Sequence, residues 1–290
     1  MTSLTVLAVR PAPETSTFPA EILDCLDAAG HPLRLFRKCS AGRAHDAFGH
    51  RGGVHREIVA YRHVLVPRGV GVPRLVAAVI EPDSGEATTL VEYLDGAVRL
   101  NQAPPHALVA AARWLGEFHR GGEGLPVPAA IPAYGPDYLT GWLDRAREYG
   151  EALAGPLPWL RRLRARPAGY LELLSRRRTV VHGEFFVSNV LWWRDAVWPV
   201  DWESVATGPG ELDLASLADG CRPGVVAELE SAYCAARWPA GEPADFHAVL
   251  DAGRLYWALR WLGAKPGWTG AAAESLLAEA ERLAVGLELG

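Results

Sequence analysis

Apolar and polar residues recur along this 290-residue chain at two different periods, and the change between them falls near residue 104. Ahead of it, residues 4–9 and 18–28 mix β-branched and apolar residues with polar ones in the two-residue rhythm of strands, punctuated by Pro11, Pro13 and Gly30. Residues Leu33 to Lys38 alternate in the same way, which sets Arg34, Phe36 and Lys38 on one face. Residues 75–80 and 88–94 predict a strand pair across the turn Pro82-Asp83-Ser84-Gly85. One helical stretch interrupts the strands: Ile58, Val59, Tyr61 and Val64 at helical spacing predict an amphipathic helix from His55 to Leu65. Beyond residue 104 the pattern is helical, over Ala107 to His119, over pieces of 137–177 divided by Gly155, Pro156 and Pro158, and over 223–237, 244–263 and 270–288.

One stretch of the helical half breaks its rule. Val180-Val181-His182-Gly183-Glu184-Phe185-Phe186-Val187-Ser188-Asn189-Val190-Leu191-Trp192, followed by Val200-Asp201-Trp202-Glu203, sets a polar constellation between two apolar strands. A strand enters, a loop carries a carboxylate and a carboxamide, and a hairpin delivers a second carboxylate. Such groups can converge on a divalent cation and a phosphoryl group. Phosphoryl transfer asks for little else: a carboxylate to orient the attacking hydroxyl, oxygen ligands for Mg2+, and a cation on the phosphates. Asn189 lies five positions after Glu184, the offset between the Asp and Asn of the protein-kinase catalytic loop.

Composition narrows the partners. With 49% apolar and 22% charged residues the chain reads as an ordinary globular protein, and a net charge of −5 argues against nucleic acid or an anionic membrane surface as its main partner. Cys25, Cys39, Cys221 and Cys234 are scattered, without metal-ligand spacing, and read as reduced thiols of a cytoplasmic protein. The N-terminus lacks a cationic leader pattern, and no apolar run reaches the ~20 residues that span a bilayer.

The central motifs resemble the aminoglycoside phosphotransferase and choline kinase-like branch of the protein kinase-like fold. That branch's His-Gly-Asp loop with its later Asn is matched by His182, Gly183, Glu184 and Asn189; its Ile-Asp-Trp-Glu strand by Val200, Asp201, Trp202 and Glu203; its Asp-Leu-Ala by Asp213, Leu214 and Ala215. The departure is Glu184 in place of the catalytic Asp. The resemblance implies an α+β, bilobal protein kinase-like fold, with a small β-rich nucleotide-binding lobe and hinge over 1–96 and a larger, mostly helical lobe over 97–290 that holds the catalytic loop and the acceptor site. It implies ATP and Mg2+ as cofactors, Asn189 and Asp201 as metal ligands, Lys38 on the phosphates with Glu57 as its acidic partner, and Glu184 as acceptor of the hydroxyl's hydrogen bond. His182 and Asp213 would support the loop, Asp213 by accepting backbone N–H bonds, although an Asp at that place is also an ordinary helix cap. Glu92 and Leu94, where the second strand of the pair ends in Leu94-Asp95-Gly96, would be hinge positions against the adenine. Glu57 near a helix start is also what a helix dipole favours with no function at all.

Several features stay open between a functional and a plain reading. Glu14-Thr15-Ser16-Thr17 is a phosphate-covering loop or a polar turn, and Arg51 in Gly49-His50-Arg51-Gly52-Gly53 is a phosphate contact or a loop residue. The cluster Arg161, Arg162, Arg164 and Arg166 reads as a solvated face. His119 reads as a packed or capping histidine, and Tyr256, Trp257 and Trp261 as core. From Glu211 onward twelve acidic residues stand against six basic ones, either an acidic wall for a cationic acceptor or solvated helix faces. Glu184 is one methylene longer than the residue it replaces, and a misplacement of about 1 Å can cost on the order of 10²-fold in rate; Phe185 and Phe186 after it suggest a loop repacked around the longer chain.

Three functions follow: a phosphotransferase acting on a hydroxyl of a small molecule such as an antibiotic or other secondary metabolite; a peptide Ser/Thr kinase in a natural-product pathway, with a biosynthetic partner enzyme that eliminates the phosphate; and a pseudokinase scaffold. Survival of the carboxylate, both metal ligands and the lysine favours an active kinase over the scaffold, and the small-molecule phosphotransferase is the leading reading.

Overall fold

A computed structural model describes residues 4–12, 18–40, 52–155, 157–265 and 267–287, and over these the change of period becomes a change of architecture. Strands β1 (Thr5–Pro11), β2 (Ala20–Leu26), β3 (Pro32–Cys39), β4 (Leu75–Ile80) and β5 (Ala87–Glu92) form an antiparallel sheet in the order β1-β2-β3-β5-β4. Leu23, Cys25 and Leu35 bury one face of it, while the edge strand β1 is exposed along its whole length.

Helix α1 (Gly53–Ala60) runs into a wider π turn over Tyr61–Leu65. It begins two residues ahead of the expected His55, because its start is set by a tertiary contact: the Gly52 N–H donates to the Glu203 carbonyl at 2.9 Å, and Gly53 takes the positive φ of 60° that enters the helix. Glu57 therefore lies past the first turn, which carries no acid, so the dipole explanation of that residue does not apply.

Past β5 the chain crosses to β6 (Val98–Arg99), which pairs with β8 (Val190–Trp193); β9 (Ala196–Pro199) completes a three-stranded sheet, and β7 (Arg178–Val181) pairs with β10 (Ala206–Pro209). Helices α2 (His106–Gly122), α3 (Pro136–Ala154), α4 (Pro158–Ala165), α5 (Ala168–Leu173), α6 (Glu211–Leu217), α7 (Pro223–Arg237), α8 (Phe246–Ala264) and α9 (Ala271–Gly286) make the rest. Pro136, Pro158 and Pro223 stand in the first turns of α3, α4 and α7, where a missing N–H costs nothing. This is the bilobal α+β arrangement that the motifs implied. Arg161 and Arg164 pair on the surface with Glu151 and Asp144, as a solvated face would.

The largest apolar core fills the helical half, where Trp159, Tyr170, Tyr233, Phe246 and Tyr256 are buried completely. A second cluster joins the halves: Tyr61, Val64, Leu65 and Val91 pack with Phe118, Val180, Trp202 and Val205. Each such side chain contributes about 1.5–3 kcal/mol by leaving water, and together they fix the ends of β3, α1 and the β8–β9 hairpin at one place. All four cysteines are free thiols, and no helix among the described residues is long and apolar enough to cross a membrane.

Candidate active site

Lys38 stands near the end of β3, in register with Ala20 of β2 and Thr89 of β5. Its Nζ donates to Asp201 Oδ1 and, at 3.1 Å, to Glu203 Oε2, and it makes an ion pair of 3.2 Å with Glu57 Oε2 that is not aligned as a hydrogen bond. Burial alone would lower the lysine pKa, but the carboxylates of Glu57, Asp201 and Glu203 lift it well above its ordinary value, so the ammonium persists at any working pH. The same crowding acts on the acids. Burial first and then the neighbouring Asp201 push the Glu203 carboxyl up to about 7, against the pull of Lys38, and burial likewise raises Glu57.

The loop after β7 is shaped by one distant carboxylate. Asp213, fully buried at the start of α6, accepts the His182 N–H at 2.6 Å on Oδ2 and the Gly183 N–H at 2.9 Å on Oδ1. His119 Nε2 reaches the same Oδ2 at 3.2 Å, and its Nδ1 lies 2.9 Å from the Tyr233 hydroxyl, so the packed histidine of the sequence reading braces the Asp213 carboxylate. Burial holds the His119 pKa below its ordinary value, and the imidazole is neutral, with Nε2–H donating to the carboxylate. Gly183 has φ +84°, and a Cβ there would overlap the Ser204 carbonyl, so only glycine fits this turn.

His182 donates from Nε2 to the Val200 carbonyl at 2.9 Å and accepts the Glu184 N–H on Nδ1, which ties the loop to the hairpin. Asn189 donates from Nδ2 to the Glu184 carbonyl at 3.0 Å, while its own carbonyl accepts the Val200 N–H at 2.9 Å. Asn189 thus sits directly across the hairpin from the residue before Asp201. Asp201 itself takes a left-handed backbone, φ 67° and ψ 56°, a conformation that costs a non-glycine residue on the order of 1 kcal/mol and concentrates at functional sites. Phe185 stacks on Trp114 and Phe186 packs edge-on against Trp257, so two rings pin the loop from different elements.

The family model described as the phosphotransferase enzyme family matches residues 43–247, more than half of the chain. The chain belongs to that family. No curated protein matches this phosphotransferase by sequence. Among solved structures, it resembles a choline/ethanolamine kinase family protein from Mesorhizobium loti, at 18% identity and a TM-score of 0.59, over 97% of this chain and 90% of that one. A macrolide 2′-phosphotransferase from Brachybacterium faecium, solved as apoenzyme, is similar at 17% identity and a TM-score of 0.59, over 95% and 91% of the two chains. An amicoumacin kinase in complex with AMP-PNP and Ca2+ is similar at 14% identity and a TM-score of 0.60, over 96% and 86%. At these identities the likeness is one of fold.

Of the residues singled out from the phosphotransferase's sequence, Lys38, Glu57 and Asp201 meet in one cluster, Asn189 adjoins it through the hairpin, and His182 and Asp213 hold the loop. Glu184 joins Asn189 through its backbone carbonyl; its Oε1 forms an ion pair with Arg260 of α8. Glu92 is the last residue of β5 and Leu94 follows it where the chain leaves the sheet: the Glu92 N–H donates to the Arg74 carbonyl, and the carbonyl of buried Leu94 accepts from the Ala97 N–H. Residues Glu14 to Thr17 and Gly49 to Arg51 lie outside the described residues.

Among the acids from Glu211 onward some are tied into ion pairs, while Glu228, Glu242, Glu274 and Glu281 are exposed. Glu211 pairs with Arg177 and Arg237, Asp245 with Arg176 and Arg177, Glu230 with Arg254 and Glu279 with Arg282. Tyr256 and Trp257 are core as expected, and half-buried Trp261 packs on Phe186.

Two residues of the site escaped sequence reasoning. Glu203 closes on Lys38 although only its place in the Asp-Trp-Glu run drew attention to it. Arg260 announces itself in one way: it is a charge inside the apolar run Tyr256-Trp257-Ala258-Leu259, and a charge buried in such a helix needs a partner.

Among the described residues no three His, Cys, Asp or Glu side chains form a ready-made metal cage. The donors at hand, the Asp201 carboxylate and the Asn189 amide oxygen, are hard oxygens that suit Mg2+ carried on phosphates, which uses one or two carboxylates and takes its other ligands from phosphate and water.

Proposed function

We propose that this phosphotransferase moves the γ-phosphoryl group of ATP to a hydroxyl of a small molecule, an antibiotic or other secondary metabolite. The observation that carries the reading is the meeting of Lys38 with Glu57, Asp201 and Glu203 at the mouth of a loop that holds the buried carboxylate Glu184. Residues 1–96 would bind the nucleotide, with Glu92 and Leu94 at its adenine edge, and residues 97–290 the acceptor, in the cytoplasm.

In this reading the permanently charged Lys38 offsets the phosphate charge, and Glu57 keeps it aimed. Asn189 and Asp201 would hold Mg2+, which supplies charge neutralisation on the phosphates when bound. Glu184 accepts the hydrogen bond of the acceptor hydroxyl, orients its lone pair, and takes up the proton as the oxygen–phosphorus bond forms and ADP leaves. The AMP-PNP and Ca2+ held by the amicoumacin kinase support a nucleotide with a divalent metal here. A cationic acceptor draws only part of its support from the acids from Glu211 onward, because several of them are tied into ion pairs, and a partner enzyme acting after transfer would be needed only for a peptide acceptor.

A screen of hydroxyl compounds with MgATP, read by mass spectrometry as gain of one phosphate, tests the proposal. One acceptor gaining that mass supports it. No gain across antibiotics, metabolites and peptides, together with an unfolding temperature that MgATP leaves unchanged, defeats it.

A further inference from the structure

The geometry points to Arg260 as the positioning residue for Glu184, so that the longer acid and a buried arginine act as one unit where the family's pattern has Asp. This rests on the phosphotransferase reading above.

Arg260 is the charged member of the buried face of α8, a helix otherwise packed through Leu255, Tyr256, Trp257, Leu259 and Leu262. A guanidinium at 8% exposure is tolerable only where its donors and its charge are met. Here one fork meets two successive residues of the loop. Nη2 pairs with Glu184 Oε1, and Nη1 donates to the Gly183 carbonyl at 3.1 Å. The fork is itself held in place: its centre lies 4.7 Å from the Trp257 ring and 5.7 Å from the Trp142 ring, with the Tyr256 hydroxyl 3.5 Å from Nη1. The Tyr256 hydroxyl is fixed in turn by the Tyr138 hydroxyl at 2.8 Å, and Tyr138 stacks on Tyr134 at 4.3 Å.

The consequence is directional. A planar fork that contacts both a main-chain carbonyl and the next residue's side chain fixes where that side chain ends, which a point charge such as lysine cannot do as well. An Asp at 184 would be one methylene short of this partner. Three elements, α3, α8 and the loop, thereby determine the position of one carboxylate oxygen, although none of the fixing groups needs to touch substrate.

The test uses the full chain and MgATP, with water as the phosphoryl acceptor and phosphate release as the readout. Arg260→Met should lower turnover by about 10²-fold with the KM for ATP within about threefold of wild type, the loss that a misplaced reacting group brings. Arg260→Lys, which restores the charge without the fork, should recover part of that loss. Glu184→Asp, with Arg260 intact, should turn over about tenfold or more below wild type, despite matching the family's pattern. Turnover of Arg260→Met within about threefold of wild type, or of Glu184→Asp at or above it, overturns the proposal, as does a loss in Arg260→Met that appears in KM for ATP or that Arg260→Lys does not relieve. If Arg260→Met fails to fold, Glu184→Asp decides alone. Wild-type protein that releases no phosphate to water or to any screened acceptor is a failure of the phosphotransferase reading itself, and is told apart by that result.

Discussion

Around Lys38 one ammonium is shared by three carboxylates drawn from α1 and the turn after Val200, whereas Glu184 is matched by Arg260 among aromatic rings of the helical half. The first arrangement is buried and crowded, and burial, with the neighbouring Asp201 adding to it, pushes Glu57 and Glu203 upward. It joins the sheet half to the helical half, and on the proposed reading it is where phosphate charge would be met. The second lies within one half, with its cation and acid both held by packing. On the proposed reading one cluster receives charge and the other keeps an acid still.

The sharpest test of that contrast is Glu184→Gln, which should keep MgATP binding and lower transfer by about 10³-fold, within the range that a general base contributes. Binding by calorimetry and turnover on the same sample check it, and full activity in the variant would remove Glu184 from the mechanism. Lys38→Met should act on the other cluster, cutting kcat/KM for ATP by about 10²-fold as a cation facing the phosphate charge is lost. An unchanged kcat/KM there would mean that the crowded cluster is structural.

Smaller effects concern the loop that links the two. Gly183→Ala should destabilise the fold by about 2–4 kcal/mol, from a strained positive φ and a forced overlap, measured by denaturant midpoint; a change under about 0.5 kcal/mol would show that the turn relaxes freely. The smallest is a pH effect at His119, which faces Asp213, Tyr233, Arg237 and Glu211. Its folded pKa lies below the ordinary value of about 6.5, so the unfolded chain binds the proton first. Stability from this group is complete above that value and declines as pH falls through the lower folded one. His119→Gln should flatten that part of the stability curve; an unaltered slope would assign it to other groups.

Much of this was legible beforehand, for local reasons. The two-residue rhythm of β3 set Lys38 on its face, and the spacing of Glu184, Asn189 and Asp201 marked the loop and hairpin, since these signals are read from neighbours in the chain. Contacts between remote segments were not. The start of α1 depends on a carbonyl of Glu203, and the partner of Glu184 lies on α8, where the sequence context signals a buried charge without saying which acid meets it. The acids from Glu211 onward looked like one feature when counted and divide in space between separate ion pairs and exposed positions.

The clamp by Asp213 has a bearing on how such a site can change over time. The main chain at His182 and Gly183 is held by a carboxylate elsewhere in the fold through backbone N–H groups, contacts that do not involve the side chain of residue 184. A lineage could exchange the short acid for the long one without having to reinvent the turn, provided a helix nearby offered a counterion for the new length. The loop is in that sense a socket, and the acid it presents is a replaceable part.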